Sequence, residues 1–291
     1  ACILKFGDLV KSTIDELALL LTSEMGKPIS QSYNEIKGAH GRIDFFSNQS
    51  RQWLQDEWMV KEGATHEKIS FEPLGVIANI SAWNYPYNVG YNIFLPALIC
   101  GNAVLYKPSE YATLTGLKFR ELLWQAGIPE NVFECVTGSA ESGKALLELP
   151  LDGYFFTGSY NTGKSIAQAV AHKLVPVQLE LGGKDPLYVA DDVSDVEKVA
   201  ISAAEGAFYN TGQSCCAVER IYVHKKIYTH FVEAFIKEVK TYKMGDPLHK
   251  DTFIGPLTRH QQIEVLNEQV RDAVNKGAKV LIVDDLLATG G

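Results

Sequence analysis

The chain has 291 residues, 46% hydrophobic and 21% charged, which suits a globular protein with one large core or two smaller ones. Lys and Arg number 27 against 35 Asp and Glu, a formal net charge of -8, and without a basic block this excludes nucleic acid as an expected partner. The cysteines Cys2, Cys100, Cys135, Cys215 and Cys216 are odd in number and irregularly spaced, which argues against a disulfide framework and for a reducing, cytoplasmic setting.

Ala1 to Phe6 enter directly into a helical pattern rather than a signal peptide, and both ends of the chain read like the middle of a protein. Ile3, Phe6, Val10, Ile14, Leu17 and Leu21 fall on one helical face, so a single helix is predicted up to Gly26-Lys27-Pro28. A second helix carries Tyr33, Ile36, Ile43, Phe46 and Trp53, and Trp58 to Phe71 reads as a projecting hairpin or edge segment. From Gly75 strands and helices alternate. Strands are predicted at Gly75 to Ile80, Ala103 to Tyr106, Val132 to Val136, Tyr154 to Phe156 and Val175 to Leu181. Helices are predicted near Phe94 to Cys100, Leu114 to Gln125, Gly143 to Leu149 and Thr162 to His172. That alternation, with near-continuous apolar strands, predicts a doubly wound parallel α/β sheet.

A second alternation starts near Leu181-Gly182-Gly183, so two domains are expected, 1–181 and 182–291. Strands are predicted at Leu187 to Val189, Ile221 to Val223 and Val280 to Val283. Helices are predicted at Asp195 to Tyr209, with Ser194 as N-cap, at Ile227 to Tyr242 and at Gln261 to Lys276. The seven histidines form no ligand-like cluster, so no structural metal is expected, and no apolar run is long enough to span a bilayer.

Several loops carry candidate chemistry. Asn210-Thr211-Gly212-Gln213-Ser214-Cys215-Cys216 lies between a helix and a strand, where a cysteine can expose a nucleophilic thiolate; the alternative is a pair of small buried fillers. Asn84, in Ser81-Ala82-Trp83-Asn84-Tyr85-Pro86, follows a strand and is either an oxyanion donor or a turn residue. Lys107 and Glu110, in Lys107-Pro108-Ser109-Glu110, can address one ribose or simply sit on a solvated loop. Glu180 ends a strand, where partial desolvation suits a general base and a salt bridge is the plainer reading. Gly158 to Ser165 fits the phosphate-loop pattern G-x-x-x-x-G-K-[ST], with Lys164 and Ser165 as phosphate and magnesium ligands and Leu281 to Asp285 as a second nucleotide-hydrolase motif. The same geometry also allows Ser159 and the helix N-terminus to meet a dinucleotide pyrophosphate without magnesium.

Taken together, Trp83-Asn84-Tyr85-Pro86, Lys107-Pro108-Ser109-Glu110, Phe156-Thr157-Gly158-Ser159 with Gly163, Glu180-Leu181-Gly182-Gly183-Lys184 and Gly212-Gln213-Ser214-Cys215 resemble the NAD(P)-dependent aldehyde dehydrogenase superfamily. The match runs from about Ile3 to about Ile282, and the phosphate-loop reading explains only one of these motifs. The resemblance implies a Rossmann-like cofactor domain with an oligomerisation hairpin at about 54–72, and an incomplete catalytic domain. It implies Cys215 as nucleophile with Cys216 as bystander, Asn84 and the Cys215 backbone N–H as oxyanion donors, and Glu180 as the base for thioester hydrolysis. Ser81, Trp83, Lys107, Ser109, Glu110, Gly158, Ser159, Gly163 and Leu181 would bind the cofactor, NAD rather than NADP because Glu110 repels a 2′-phosphate. It further implies an aldehyde substrate and a homodimer or homotetramer.

The sequence departs from the family in three ways. Ile93 stands where the family has a lysine nine places after the asparagine, the Glu-x-Phe-Gly-Pro segment and the C-terminal oligomerisation strand lie beyond the last residue, and the tail changes character. Val283-Asp284-Asp285-Leu286-Leu287-Ala288-Thr289-Gly290-Gly291 resembles the PRPP-binding loop of type I phosphoribosyltransferases, although nothing upstream resembles that fold. A relative that binds dinucleotide without turnover is therefore the third reading, beside the dehydrogenase and the nucleotide hydrolase.

Overall fold

The computed structural model describes residues 1–280. The strand predicted at Val280 to Val283, the Leu281 to Asp285 motif and the Val283 to Gly291 tail therefore lie outside the described residues, save Val280, which has no strand assignment. Contacts divide the chain into two units, Ala1–Glu24 with Ser32–Gly182, and Met25–Gln31 with Gly183 onward.

The chain opens with helices α1 (Cys2–Ser12), α2 (Ile14–Met25) and α3 (Ile29–Trp53). The single helix expected over Ile3 to Leu21 is broken at Thr13, whose hydroxyl and N–H both reach the Leu9 carbonyl, at 2.8 and 3.1 Å. That local bond closes the α1 terminus. Apolar spacing gives no warning, because it continues in phase past the break. Strands β1 (Glu57–Glu62) and β2 (Thr65–Ile69) pair as an antiparallel hairpin.

The first unit then alternates β3 (Val76–Ile80), α4 (Pro86–Ile99), β4 (Ala103–Lys107), α5 (Thr113–Ala126), β5 (Phe133–Cys135), α6 (Ala140–Glu148), β6 (Gly153–Gly158), α7 (Tyr160–Val170) and β7 (Val177–Leu181). The five strands lie in the order β5-β4-β3-β6-β7, every pair parallel. Counted along the sheet this is 3-2-1-4-5, with its reversal between β3 and β6. Ala78, Ile80, Tyr154 and Phe156 share one face of the sheet and pack against Leu146 of α6 and Ile166 of α7. On the other face Tyr106 meets Phe94 of α4 and Phe119 of α5 at 5.6 and 5.9 Å between ring centroids. Helix α4 begins eight residues before the predicted Phe94, with Pro86 in its first turn. It is apolar nearly all round, so it has no amphipathic period to read. Gly127, at φ 103°, ends α5 in the left-handed conformation that glycine favours.

The second unit contains β8 (Asp185–Val189), α8 (Val196–Phe208), β9 (Val218–Val223), α9 (Tyr228–Val239) and α10 (Gln262–Asn275). β8 and β9 are parallel, and Val189, Ala200, Ala203 and Phe231 form the core beside them. The N-cap of α8 is Asp195, whose carboxylate accepts the Lys198 N–H at 2.9 Å, and not the expected Ser194.

Candidate functional site

In the first unit the candidate residues collect along the carboxyl ends of the parallel strands. Ile80 is in register with Lys107 on one side and Phe156 on the other, and Thr157 and Gly158 pair with Glu180 and Leu181. Ser81, 5% exposed, leaves β3 with its N–H on the Lys107 carbonyl at 2.9 Å. Trp83 packs edge-on to Tyr111 at 6.4 Å. Asn84 is half-buried just ahead of α4, and its side-chain carbonyl accepts the Tyr85 N–H at 3.1 Å. Ile93 is buried inside α4 and brings no ionisable group there.

Lys107 does not lie on a solvated loop. It is 5% exposed, and its ammonium donates to the carbonyls of Pro108 and Gly138 at 3.3 and 3.0 Å. Burial pulls its pKa down, while the nearby Glu110 carboxylate works against that. Ser109 is buried and accepts the Tyr111 N–H at 3.3 Å, and Glu110 beside it is exposed.

The phosphate-loop expectation fails on geometry. Such a loop must stay irregular from its first glycine to its lysine so that its amides can surround a phosphate. Here Ser159 is already the N-cap of α7, accepting the Thr162 N–H at 3.3 Å, and residues from Tyr160 on are helical. Gly163 is a buried packing contact, since a Cβ there would stand 2.6 Å from Leu181 Cδ2. Ser165 donates to the Asn161 carbonyl at 2.9 Å, the ordinary bond of a serine within a helix. What remains is a helix N-terminus at the sheet's carboxyl edge, capped by an exposed serine.

Glu180 departs from expectation in its surroundings. Leu179 and Leu181 turn into the core, which sends Glu180 to the opposite face of the edge strand β7, where it is exposed. Its Oε1 accepts from Gln178 Nε2 at 3.2 Å. The face of β7 that carries Glu180 is thus open to solvent, not the covered strand end read from the sequence.

The second unit carries the thiol loop. Helix α8 ends at Phe208, and the backbone then turns left-handed at Asn210 (φ 55°, ψ 37°) and Thr211 (φ 58°, ψ 31°), followed by Gly212 at φ 72°. A left-handed asparagine is common enough, but a β-branched threonine there is strained and needs support. The support comes from 253–258. The Thr211 hydroxyl meets both the N–H and the carbonyl of Gly255, at 3.1 and 3.3 Å, and Gln213 Oε1 accepts the Thr258 N–H at 3.0 Å. Thr258 donates in turn to the Met25 carbonyl, and a Cβ on Gly255 would sit 2.3 Å from the Gly26 carbonyl oxygen.

Cys215 and Cys216 are both exposed at the end of this loop, so the buried-filler reading does not hold. Ser214 Oγ and Cys216 Sγ lie 3.3 Å apart. The loop does not favour the thiolate of Cys215, as the sequence reading expected. Protein around the sulfur partly desolvates it and pushes the thiol up, and Cys216 adds to this.

Three supporting residues left no signal in the sequence. Gln31 holds the thiol loop from 179 residues away, and Thr258 from 45. Glu35, 5% exposed, accepts the Tyr87 N–H at 2.9 Å and so caps α4 beyond Asn84. Each bond joins a side chain to a distant backbone group, which no local pattern records.

Together these features define a two-unit α/β protein, one unit Rossmann-like with a polar carboxyl edge and the other presenting a thiol on a fixed loop. The model of the aldehyde dehydrogenase family matches residues 1–289. Mitochondrial succinate-semialdehyde dehydrogenase of Oryza sativa subsp. japonica is 35% identical over 280 residues, 96% of this chain and 53% of the relative. Betaine aldehyde dehydrogenase of Vibrio vulnificus is 36% identical over 282 residues, 96% of this chain and 58% of the relative. The solved structure of an NAD-dependent aldehyde dehydrogenase from Sinorhizobium meliloti has a TM-score of 0.93 at 32% identity, covering 97% of this chain and 56% of that one. The chain belongs to the aldehyde dehydrogenase family. It spans little more than half the length of the curated relatives it matches.

Proposed function

We propose that the protein is an NAD(P)-dependent aldehyde dehydrogenase that oxidises an aldehyde to a carboxylic acid. The observation that carries this reading is Cys215, exposed at the end of a loop whose left-handed backbone is held in place. In this proposal residues 1–181 bind the dinucleotide and those from 182 onward carry the chemistry.

The donor set at the carboxyl edge of the first unit fits a dinucleotide. Lys107 and Glu110 offer a donor and an acceptor for ribose hydroxyls, and Ser159 with the α7 N-terminus offers hydroxyl and N–H groups for a pyrophosphate. Ser81, Trp83, Ser109, Gly158, Gly163 and Leu181 shape the same edge. Glu110 disfavours a 2′-phosphate, which supports NAD over NADP.

Cys215 releases its proton to solvent water and adds as the thiolate to the aldehyde carbon, forming a thiohemiacetal oxyanion. The Asn84 amide and the Cys215 backbone N–H donate to that oxygen. A bound nicotinamide supplies the acceptor for the hydride leaving this carbon, so a thioester remains on Cys215. Glu180 takes a proton from water as the water oxygen attacks the thioester carbonyl, and the acid leaves with the sulfur free again. Five free cysteines support a reducing compartment, with the cytoplasm as the plainest choice. The exposed Trp58, Met59 and Ile69 of the β1–β2 hairpin support assembly into a homodimer or homotetramer.

The test is NADH formation from an aldehyde by the natural protein. Cys215→Ala reduces it to background, Asn84→Ala lowers kcat by about 10²–10³, and Glu180→Gln lowers it by about 10²–10⁴. Undiminished turnover in Cys215→Ala refutes the assignment.

A further inference from the structure

Thr211 holds a left-handed conformation that costs roughly 1–3 kcal/mol for a residue of its kind, and its neighbour Asn210 shares that conformation. Such a backbone persists only where its surroundings leave it no alternative. The segment at 253–258 supplies some of that constraint through Thr211 and Gln213. Bonds within the loop join Asn210 to Gln213, and a further tie comes from Gln31, a residue of the short segment Met25–Gln31 that belongs to the second unit although it lies far upstream.

Gln31 is 3% exposed, and both ends of its amide are used. Oε1 accepts the backbone N–H of Asn210 at 2.8 Å, and Nε2 donates to the backbone carbonyl of Phe253 at 2.9 Å. One planar group therefore ties the first left-handed residue of the thiol loop to the segment that braces the next ones. Only a glutamine has this acceptor, this donor and this reach together. Glutamate keeps the acceptor but turns a charged oxygen on the Phe253 carbonyl. Asparagine is one methylene short, and leucine or methionine fills the space with neither bond, taking the Gln31 bond from a buried N–H and from a half-buried carbonyl.

We propose that Gln31 is a positioning residue for Cys215: its amide clamps the Asn210 backbone to the 253–258 segment and so fixes where the sulfur stands. The proposal rests on the reading of Cys215 as the nucleophile. It goes beyond that reading by assigning a role to a residue that takes no part in the chemistry. Misplacing a reacting group by about 1 Å can cost on the order of a hundredfold in rate. Loss of the clamp should therefore appear in kcat and in the thiol itself, not in cofactor binding.

The experiment compares natural protein with Gln31→Met and Gln31→Glu, the second nearly isosteric so that one variant keeps the fold. Three quantities are read: kcat and KM for aldehyde and NAD, the rate at which iodoacetamide alkylates Cys215 in the absence of cofactor, and the pH at which that rate is half-maximal. Alkylation is followed by peptide mass, with Cys2 of the other unit as the reference for general opening. The expected result is a fall in kcat of about tenfold or more, an unchanged KM for NAD, and a shifted rate or pH midpoint at Cys215 with Cys2 unmoved. An unaltered kcat, or an unaltered Cys215 profile in a variant that is merely less heat-stable, overturns the proposal. Should Cys215→Ala retain turnover, the dehydrogenase reading fails separately, while the alkylation arm still shows whether Gln31 sets the loop.

Discussion

Cys215 and Cys135 carry the same thiol in different settings. Cys135 ends β5, donates to the Gly116 carbonyl at 3.2 Å, and is pushed up to about 12 by burial, with Arg120 working against the rise. Cys215 is exposed and raised by partial desolvation and by Cys216. A raised thiol pKa means that the thiolate is scarce below it and accumulates only as pH climbs through it. In the absence of cofactor and substrate, alkylation of Cys215 should therefore keep rising above pH 9, the ordinary thiol value. Cys135 should stay unmodified over the same range until the protein is unfolded. A Cys215 profile already flat at pH 7 would mean that some group deprotonates it in the resting protein. The motif around Cys215 was legible because cysteine, glutamine and glycine sit within four residues. Its low acidity was not, because desolvation is a sum over neighbours that the motif does not contain. Gln31 escaped notice for a related reason, since an amide that serves two backbone groups can lie anywhere in the chain.

Helices α4 and α5 show how one element is finished by another. Neither has a side-chain cap of its own at the N-cap position. Glu24, on α2, takes the Leu114 and Thr115 N–H groups at 2.6 and 2.8 Å and the Thr115 hydroxyl at 2.7 Å, while Glu35, on α3, takes the Tyr87 N–H. A carboxylate at a helix N-terminus both satisfies orphan donors and meets the positive end of the helix dipole. Glu24→Ala should cost about 1–2 kcal/mol, which for a unit of this size lowers Tm by roughly 2–8 °C. Hydrogen exchange should show the loss concentrated in the first turn of α5. An unchanged melting temperature would mean that water replaces the carboxylate without cost. Element positions were legible where the period was clean, as in α5 and α7. They failed where it was not: α4 is buried on nearly every side, and the α1–α2 break is set by one threonine inside an unbroken apolar stripe. Remote caps of this sort are tertiary contacts and have no local signature.

At the scale of the molecule, alternating strands and helices announced a parallel sheet, but the order β5-β4-β3-β6-β7 follows from long-range packing and had to be seen. That order puts a reversal between β3 and β6, so the ends of these strands at Ser81 and Gly158 flank the crevice where such sheets take ligands. The start of α7 counts against the phosphate-loop reading, since it comes too early to leave a loop around a phosphate. The two readings divide the lysines differently: Lys107, at the end of β4, serves a dinucleotide, whereas Lys164, on α7, serves a nucleotide triphosphate. A ligand at 100 times its Kd stabilises the folded state by about 2.7 kcal/mol, enough to raise Tm by several degrees. Scanning calorimetry with NAD should show that rise in the natural protein and in Lys164→Ala. Cys215→Ala should keep it too, because the proposed mechanism gives the thiol a part in the reaction and none in binding the dinucleotide. Lys107→Met should lose most of it, judged against the variant's own unliganded Tm, since Lys107 also bonds the Pro108 and Gly138 carbonyls. A shift that survives Lys107→Met and vanishes in Lys164→Ala would move the ligand from the sheet edge to the helix and overturn the cofactor assignment.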